Sequence, residues 1–297
     1  MKYLLVSTAA LALLAACSDG KTSARSSHSS AVTPLTDFTT PEDGTYRASG
    51  MAVSSGYTTD ASGKVLSFGT PETETDITAD MTYEDGLLTA VTLTTSKGTV
   101  TLSTADGDSF DVSTVLNGIL ATSADGDVML VAADPTKGGY SYQTFGAWQS
   151  GLNGTSRVAG AGSLGVRTSE SQMPTTGTAS YYGDSLGQVV TGDKVEMTTS
   201  YIAVDTDFDM VEIYSSDTVT ADPTTGAITG DRSDLDFYTA GSVSGTGFAA
   251  DIDTGVLTGS VDGQFYGDNA QEVGGTFSGS TADSTYFGGF GAVDSSR

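Results

Sequence analysis

The residue types that could do chemistry are unevenly spread along this chain. Asp and Glu number 37, yet there is one His, His28, and one Cys, Cys17. Nucleophilic sites built on Ser-His or Cys-His need a base beside the nucleophile, and His-ligated zinc or haem needs imidazole. Beyond His28 the chain has neither imidazole nor thiol, so those classes lack their parts. Carboxylates, hydroxyls and aromatic rings remain. Asp205-Thr206-Asp207-Phe208-Asp209 spaces three carboxylates as at the start of a calcium loop, which makes Asp205, Asp207 and Asp209 the candidate calcium ligands. Such a loop turns on Gly at its sixth position and closes with Glu at its twelfth. This chain has Met210 and Ser216 there, so an acidic hairpin turn is the better account. Asp231, Asp234 and Asp236 form a second acidic cluster, read as a solvated loop. Paired carboxylates could hydrolyse glycosides, but with Asp throughout the chain nothing marks a pair. Trp148, the only Trp, is either a sugar-stacking platform or a core side chain. Tyr181 and Tyr182 fall on opposite faces of a strand, which leaves one of them to face solvent or a ligand. Glycine runs such as Gly288-Gly289 precede no Gly-Lys-Ser/Thr, so no phosphate cradle is present. These residues read as a non-catalytic chain without cofactor or resident metal.

The elements that would position these residues are strands. From Gly44 onward Thr, Val, Tyr and Phe abound, Gly is frequent, and Pro stands in turns such as Asp222-Pro223-Thr224-Thr225-Gly226. No stretch carries a helical period. Turn signals recur at Ala61-Ser62-Gly63, Glu84-Asp85-Gly86, Ser96-Lys97-Gly98, Asp106-Gly107, Asp125-Gly126 and Asp253-Thr254-Gly255, which predicts antiparallel hairpins. In the last third, Leu257, Gly259, Val261, Gly263 and Phe265 share one strand face and polar residues the other; Val273, Gly275, Phe277 and Gly279 repeat the pattern. Large residues alternating with Gly suit the tightly curved inner face of a small barrel. The polar outer face argues against a membrane-spanning barrel, whose outside is apolar over about 25 Å. The expectation is an all-β chain whose Gly177–Ala292 region closes into an antiparallel barrel.

The N-terminus and the charge place the chain. Met1-Lys2 is followed by an uncharged apolar run to Ala16, too short to span a bilayer, which needs about 20 residues. Leu14-Ala15-Ala16-Cys17 resembles the bacterial lipoprotein signal. That resemblance implies removal of residues 1–16, lipidation of Cys17 and membrane attachment through the lipid; Ser18 in place of Asp implies the outer membrane. Residues 17–43, rich in Ser and Thr with Pro34 and Pro41, read as a flexible tether. The net charge of −25 repels nucleic acid and anionic headgroups, so no nucleic-acid partner is expected.

Gly263-Gln264-Phe265-Tyr266-Gly267, Glu272-Val273-Gly274-Gly275-Thr276-Phe277 and Phe287-Gly288-Gly289-Phe290-Gly291-Ala292 resemble the C-terminal barrel signature of the transferrin-binding protein B family. Tyr142-Gln143-Thr144-Phe145-Gly146-Ala147-Trp148 and Met173 to Gly183 resemble the entry to that barrel, in matching order. The resemblance implies a β-rich handle domain at 44–135, then an eight-stranded up-and-down barrel within 140–292. It also implies one lobe where the transferrin binder has two. The implied function is a surface-exposed outer-membrane lipoprotein, not an enzyme, that binds a host or environmental protein or a nutrient ligand. Its partner would be a translocator, a receptor or a host protein. The alternatives are a structural or masking envelope lipoprotein and a barrel that carries haem or another small ligand. The lack of His in the folded part weighs against haem, and the barrel should be filled by its own side chains.

Overall fold

The computed structural model describes residues 31–39, 41–113, 115 and 118–296. Cys17, the signal residues 1–16 and His28 lie outside the described residues. The hairpins form where the turn chemistry calls for them. Asp85 (φ 53°) and Gly86 (φ 74°) are both left-handed, the two-residue turn whose twist matches that of the flanking strands.

Nine strands form the main path of the first sheet: β1 (Gly44–Thr59), β2 (Glu72–Glu84), β3 (Leu87–Thr95), β4 (Gly98–Ser103), β5 (Ser109–Val112), β6 (Ile119–Thr122), β7 (Val128–Ala132), β8 (Gln143–Ser150) and β9 (Ser156–Gly165). Their spatial order is β4-β3-β2-β1-β9-β8-β7-β6-β5. The two edge strands are consecutive in the chain and joined through the short turn Thr104–Asp106, so the sheet curls until it nearly closes. The Asp108 carboxylate holds that seam, accepting from the Ser103 and Ala124 N–H groups at 2.7 and 2.8 Å. The turns around Asp106-Gly107 and Asp125-Gly126 therefore meet. Inside the curl Ala52, Ile77, Ala79, Leu93, Val100 and Trp148 pack together, beside an apolar cavity of about 80 Å³.

Two boundaries differ from the sequence expectation. Thr33–Pro34, within the expected tether, pairs with β1, and Leu35 and Phe38 are buried. Two apolar residues among Ser and Thr make no period, and only the distant partner, such as Ser141 O accepting from Phe38 N–H, shows that they dock. Strands β8 and β9, expected at the start of the barrel domain, pair in the first sheet, β9 along its whole length with Ser49 to Thr58 of β1. That pairing joins residues about a hundred positions apart, and no local pattern reveals it.

The second sheet is the barrel. Its strands are β10 (Ala179–Thr191), β11 (Lys194–Thr206), β12 (Met210–Ala221), β13 (Phe237–Ser244), β14 (Gly247–Asp253), β15 (Thr258–Tyr266), β16 (Glu272–Ser280) and β17 (Ser284–Asp294). Each pairs antiparallel with the next, and β17 pairs with β10 to close the ring. Among the described residues the helix content is slight, and the one α-helical piece is the single turn Pro135–Gly138. Leu257, Val261, Phe265, Val273 and Phe277 lie in the barrel core, as the large/Gly alternation implies. Glycine makes room for cross-strand rings. A methyl group on Gly288 would enter the Phe277 ring, one on Gly263 the Phe248 ring, and one on Gly160 in the first sheet the Trp148 indole. In all three cases the ring lies over the glycine directly opposite it in the ladder. Covering a strand glycine with a neighbouring ring restores burial that the missing side chain forgoes.

The two sheets pack through Val53, Tyr57, Ala147, Ala159 and Ala161 on one side and Leu186, Val190, Met197 and Phe287 on the other. Three side chains stitch this apolar contact. Gln188 Nε2 donates to the Trp148 and Gly160 carbonyls at 2.9 and 3.0 Å. Gln143 Nε2 donates to the Val273 and Ala292 carbonyls. The buried Glu272 carboxylate accepts from the Ser141 and Tyr142 N–H groups. The outer face of the barrel is thus covered mainly on the side of β10, β16 and β17, with Met197 of β11 and Tyr266 of β15 at the margins of the contact.

Candidate functional site

Along β10 the outward side chains run from Ser180 and the exposed Tyr182 through half-buried Asp184 to Leu186, which is buried against the first sheet. The next strands extend that free end sideways. Register places Ser180, Asp205, Glu212 and Ala240 in one row, and Tyr182, Ala203, Tyr214 and Tyr238 in the next. Asp184, Tyr201 and Ser216 form a third row. Four tyrosines therefore share one outer wall of the barrel. Their exposures of 48% for Tyr182, 42% for Tyr201, 38% for Tyr214 and 49% for Tyr238 rule out a core role. They stand in two pairs: Tyr182 and Tyr201 stack with centroids 6.3 Å apart, and Tyr214 and Tyr238 lie 4.8 Å apart. Ala203 separates the pairs.

Glu212 organises the second pair. Tyr238 Oη donates to Glu212 Oε1 at 2.9 Å, and Tyr214 Oη lies 3.5 Å from Oε2. That hydrogen bond keeps the Tyr238 hydroxyl protonated and lifts its pKa. Tyr214 is raised by partial desolvation and by the Glu212 charge. Tyr201 is raised by desolvation, then by Tyr182 and Asp184. Burial raises the Asp184 carboxyl above the ordinary carboxylate range. The wall presents neutral hydroxyls and anionic carboxylates with rigid rings, a combination suited to recognition.

The candidate calcium ligands do not converge. Asp205 sits on β11 and accepts from Ser180 Oγ. Asp207 lies in the β11–β12 turn, where its Oδ1 accepts from the N–H groups of Asp209 and Met210 at 3.0 and 2.8 Å, and Phe208 adopts φ 68°. The acidic motif closes a hairpin. Asp231, Asp234 and Asp236 likewise have local tasks, accepting from Ser233 N–H, from Arg232 and from Thr218 N–H. Among the described residues no three His, Cys, Asp or Glu side chains are grouped to hold a metal. Trp148 is core, 4% exposed over Gly160. Tyr181 and Tyr182 do face opposite ways: Tyr181 is buried in the barrel and donates to the Ala270 carbonyl at 2.7 Å. Tyr201, Tyr214, Tyr238 and Glu212 were not distinguishable in the sequence. The available signal was aromatic residues at the polar phase of three successive strands, but their adjacency needed the register.

Residues 173–294 match the model of the C-lobe and N-lobe beta barrels of Tf-binding protein B. The barrel is thus similar to the beta barrels of the transferrin-binding protein B family. This family match spans β10 to β17 entire and stops short of the first sheet. No curated protein matches the chain. Similar solved structures include a mutant transferrin-binding protein B from Haemophilus parasuis Hp5, at 14% identity over 75% of this chain and 54% of that one, TM-score 0.41. Another is the isotype 1 protein from serogroup B Neisseria meningitidis, at 18% identity over 78% of this chain and 48% of that one, TM-score 0.45. A third is HpuA from Kingella denitrificans in complex with human haemoglobin, at 15% identity over 73% of this chain and 83% of that one, TM-score 0.43. The chain spans about half the length of those two transferrin-binding proteins.

Proposed function

We propose that this protein is a non-catalytic, lipid-anchored protein of the outer membrane, facing outward, that captures a protein partner on the tyrosine face of its barrel. The observation that carries the reading is the row of exposed tyrosines across β10, β12 and β13 on an otherwise polar wall. A barrel packed with its own side chains binds on its outside rather than within. Rigid rings supply contact area at low entropic cost. The match of residues 173–294 to a barrel family named for a transferrin-binding protein agrees with a protein partner, and anchoring rests on the Leu-Ala-Ala-Cys17 signal. The haem-carrier alternative has little support, since the barrel core is occupied by Tyr181, Phe265, Phe277 and Phe290.

A photo-crosslinking residue at Tyr238 of the full lipidated chain, displayed on cells in their natural medium, tests this. The expected result is a discrete protein adduct at Tyr238, reduced in the Tyr182→Ala variant, with none from Thr258 on β15. Equal adducts at both positions, or none at Tyr238, would overturn the reading.

A further inference from the structure

We propose that the gap over Ala203 is a slot for an arginine side chain of a basic protein partner, with Tyr182 and Tyr214 as its walls and Asp205 and Glu212 at its end. The inference rests on the reading of the tyrosine face as the docking face and names the chemistry it accepts. Ala203 is the one small residue between Tyr182 and Tyr214 in their row. Neighbouring strands stand about 4.8 Å apart, so the two tyrosine positions are about 10 Å apart across Ala203. A planar guanidinium in that gap lies within about 6 Å of both ring centroids, the range over which ring faces attract cations. Arginine suits the slot better than lysine because its flat fork stacks on rings and pairs with carboxylates at once.

Charge complementarity selects the occupant. Asp205 and Glu212 are direct cross-strand partners, and like charges so placed repel. Their partners are neutral hydroxyls, Ser180 for Asp205 and Tyr238 and Tyr214 for Glu212, and none of the ion pairs among the described residues includes either side chain. From residue 179 to 294 the only basic residues are Lys194 and Arg232. Lys194 starts β11 at its opposite end, and Arg232 is engaged by Asp234, Thr191 and Ser284. A repelling carboxylate pair kept beside a tyrosine slot is a local conflict that an incoming cation resolves, and such conflicts mark functional surfaces.

The test measures fluorescence anisotropy of a labelled nona-arginine peptide with the full chain in detergent, beside a citrulline peptide of equal length. Ala203→Leu fills the slot without changing charge. Asp283→Asn removes one exposed carboxylate from the β16–β17 turn, at the opposite end of β10 from Tyr182. Ala203→Leu should weaken nona-arginine binding about tenfold, equivalent to about 1.4 kcal/mol, with an unchanged melting temperature. Asp283→Asn should change it less than about twofold. The citrulline peptide should not bind. Should Ala203→Leu disturb folding, Tyr214→Ala, truncated at an exposed ring, must give the same loss. Equal weakening by Ala203→Leu and Asp283→Asn, or wild-type affinity in Ala203→Leu, would overturn the slot. If Tyr238 crosslinks specifically while Ala203→Leu keeps full affinity, the docking face stands and the arginine slot falls; if both experiments fail, the underlying reading falls too.

Discussion

Replacing Gly288 by Ala should destabilise the barrel, against the ordinary direction of that substitution in a strand. A strand glycine changed to alanine normally gains about 0.5–1 kcal/mol, because glycine loses more backbone freedom on folding. Here the added methyl enters the Phe277 ring. That ring cannot withdraw, because it packs against Phe237 at 5.6 Å and Tyr286 at 4.8 Å between centroids and is 2% exposed. Overpacking of this kind costs about 1–3 kcal/mol, and Phe277→Ala should cost about 3–5 kcal/mol through lost burial and the cavity left behind. The two changes are coupled, since removing the ring vacates the space the methyl needs. The double variant should therefore cost no more than Phe277→Ala alone, a coupling of about 1–3 kcal/mol. Urea titration followed by circular dichroism measures all three free energies, with an unchanged slope showing that the denatured state is comparable. On heating, Gly288→Ala should lower the melting temperature at roughly 2–4 °C per kcal/mol for a domain of this size. Wild-type stability in Gly288→Ala, or strict additivity in the double variant, would refute the account of ring-over-glycine packing.

Gln188→Ala should cost about 1–3 kcal/mol by leaving the buried Trp148 and Gly160 carbonyls without their shared donor, read in the same urea titration; an unchanged midpoint would show that the two sheets do not depend on it. Asp184→Asn should raise the melting temperature at pH 7. Burial raises the folded-state pKa of Asp184, so the native state holds this proton more tightly than the unfolded chain. Its contribution to folding is then full in acid and is lost as pH rises through the raised value. The gain should vanish below about pH 3.9, where the carboxyl is protonated in both states; a gain that persists in acid would point to another cause. Haemin titration of the full chain should give no saturable Soret band, since no His follows His28 and the barrel interior is filled. Labelled fatty acid should enter the wild-type chain and not Cys17→Ser, and equal labelling would remove the lipid anchor from the proposal.

The features legible in the sequence alone were local. Positions such as Asp85-Gly86 demand left-handed backbone, so the hairpins and their turns were readable. The period of two in Leu257 to Phe265 and in Val273 to Phe277 assigned inner and outer faces, because a half-buried strand cannot hide its alternation. The lack of His beyond residue 28 disposed of whole classes of chemistry without any structure. Long-range packing settled everything that depends on which strand lies beside which. It moved β8 and β9 into the first sheet, docked Leu35 and Phe38, and buried Gln264 and Tyr266, outward by period yet covered beside the first sheet. It also assembled the tyrosine face, whose members lie on four strands and share no motif. The physical reason is common to these cases. Backbone pairing in a sheet is indifferent to side-chain identity, so register and closure are chosen by the sum of distant contacts, and a surface composed across strands exists only once that choice is made.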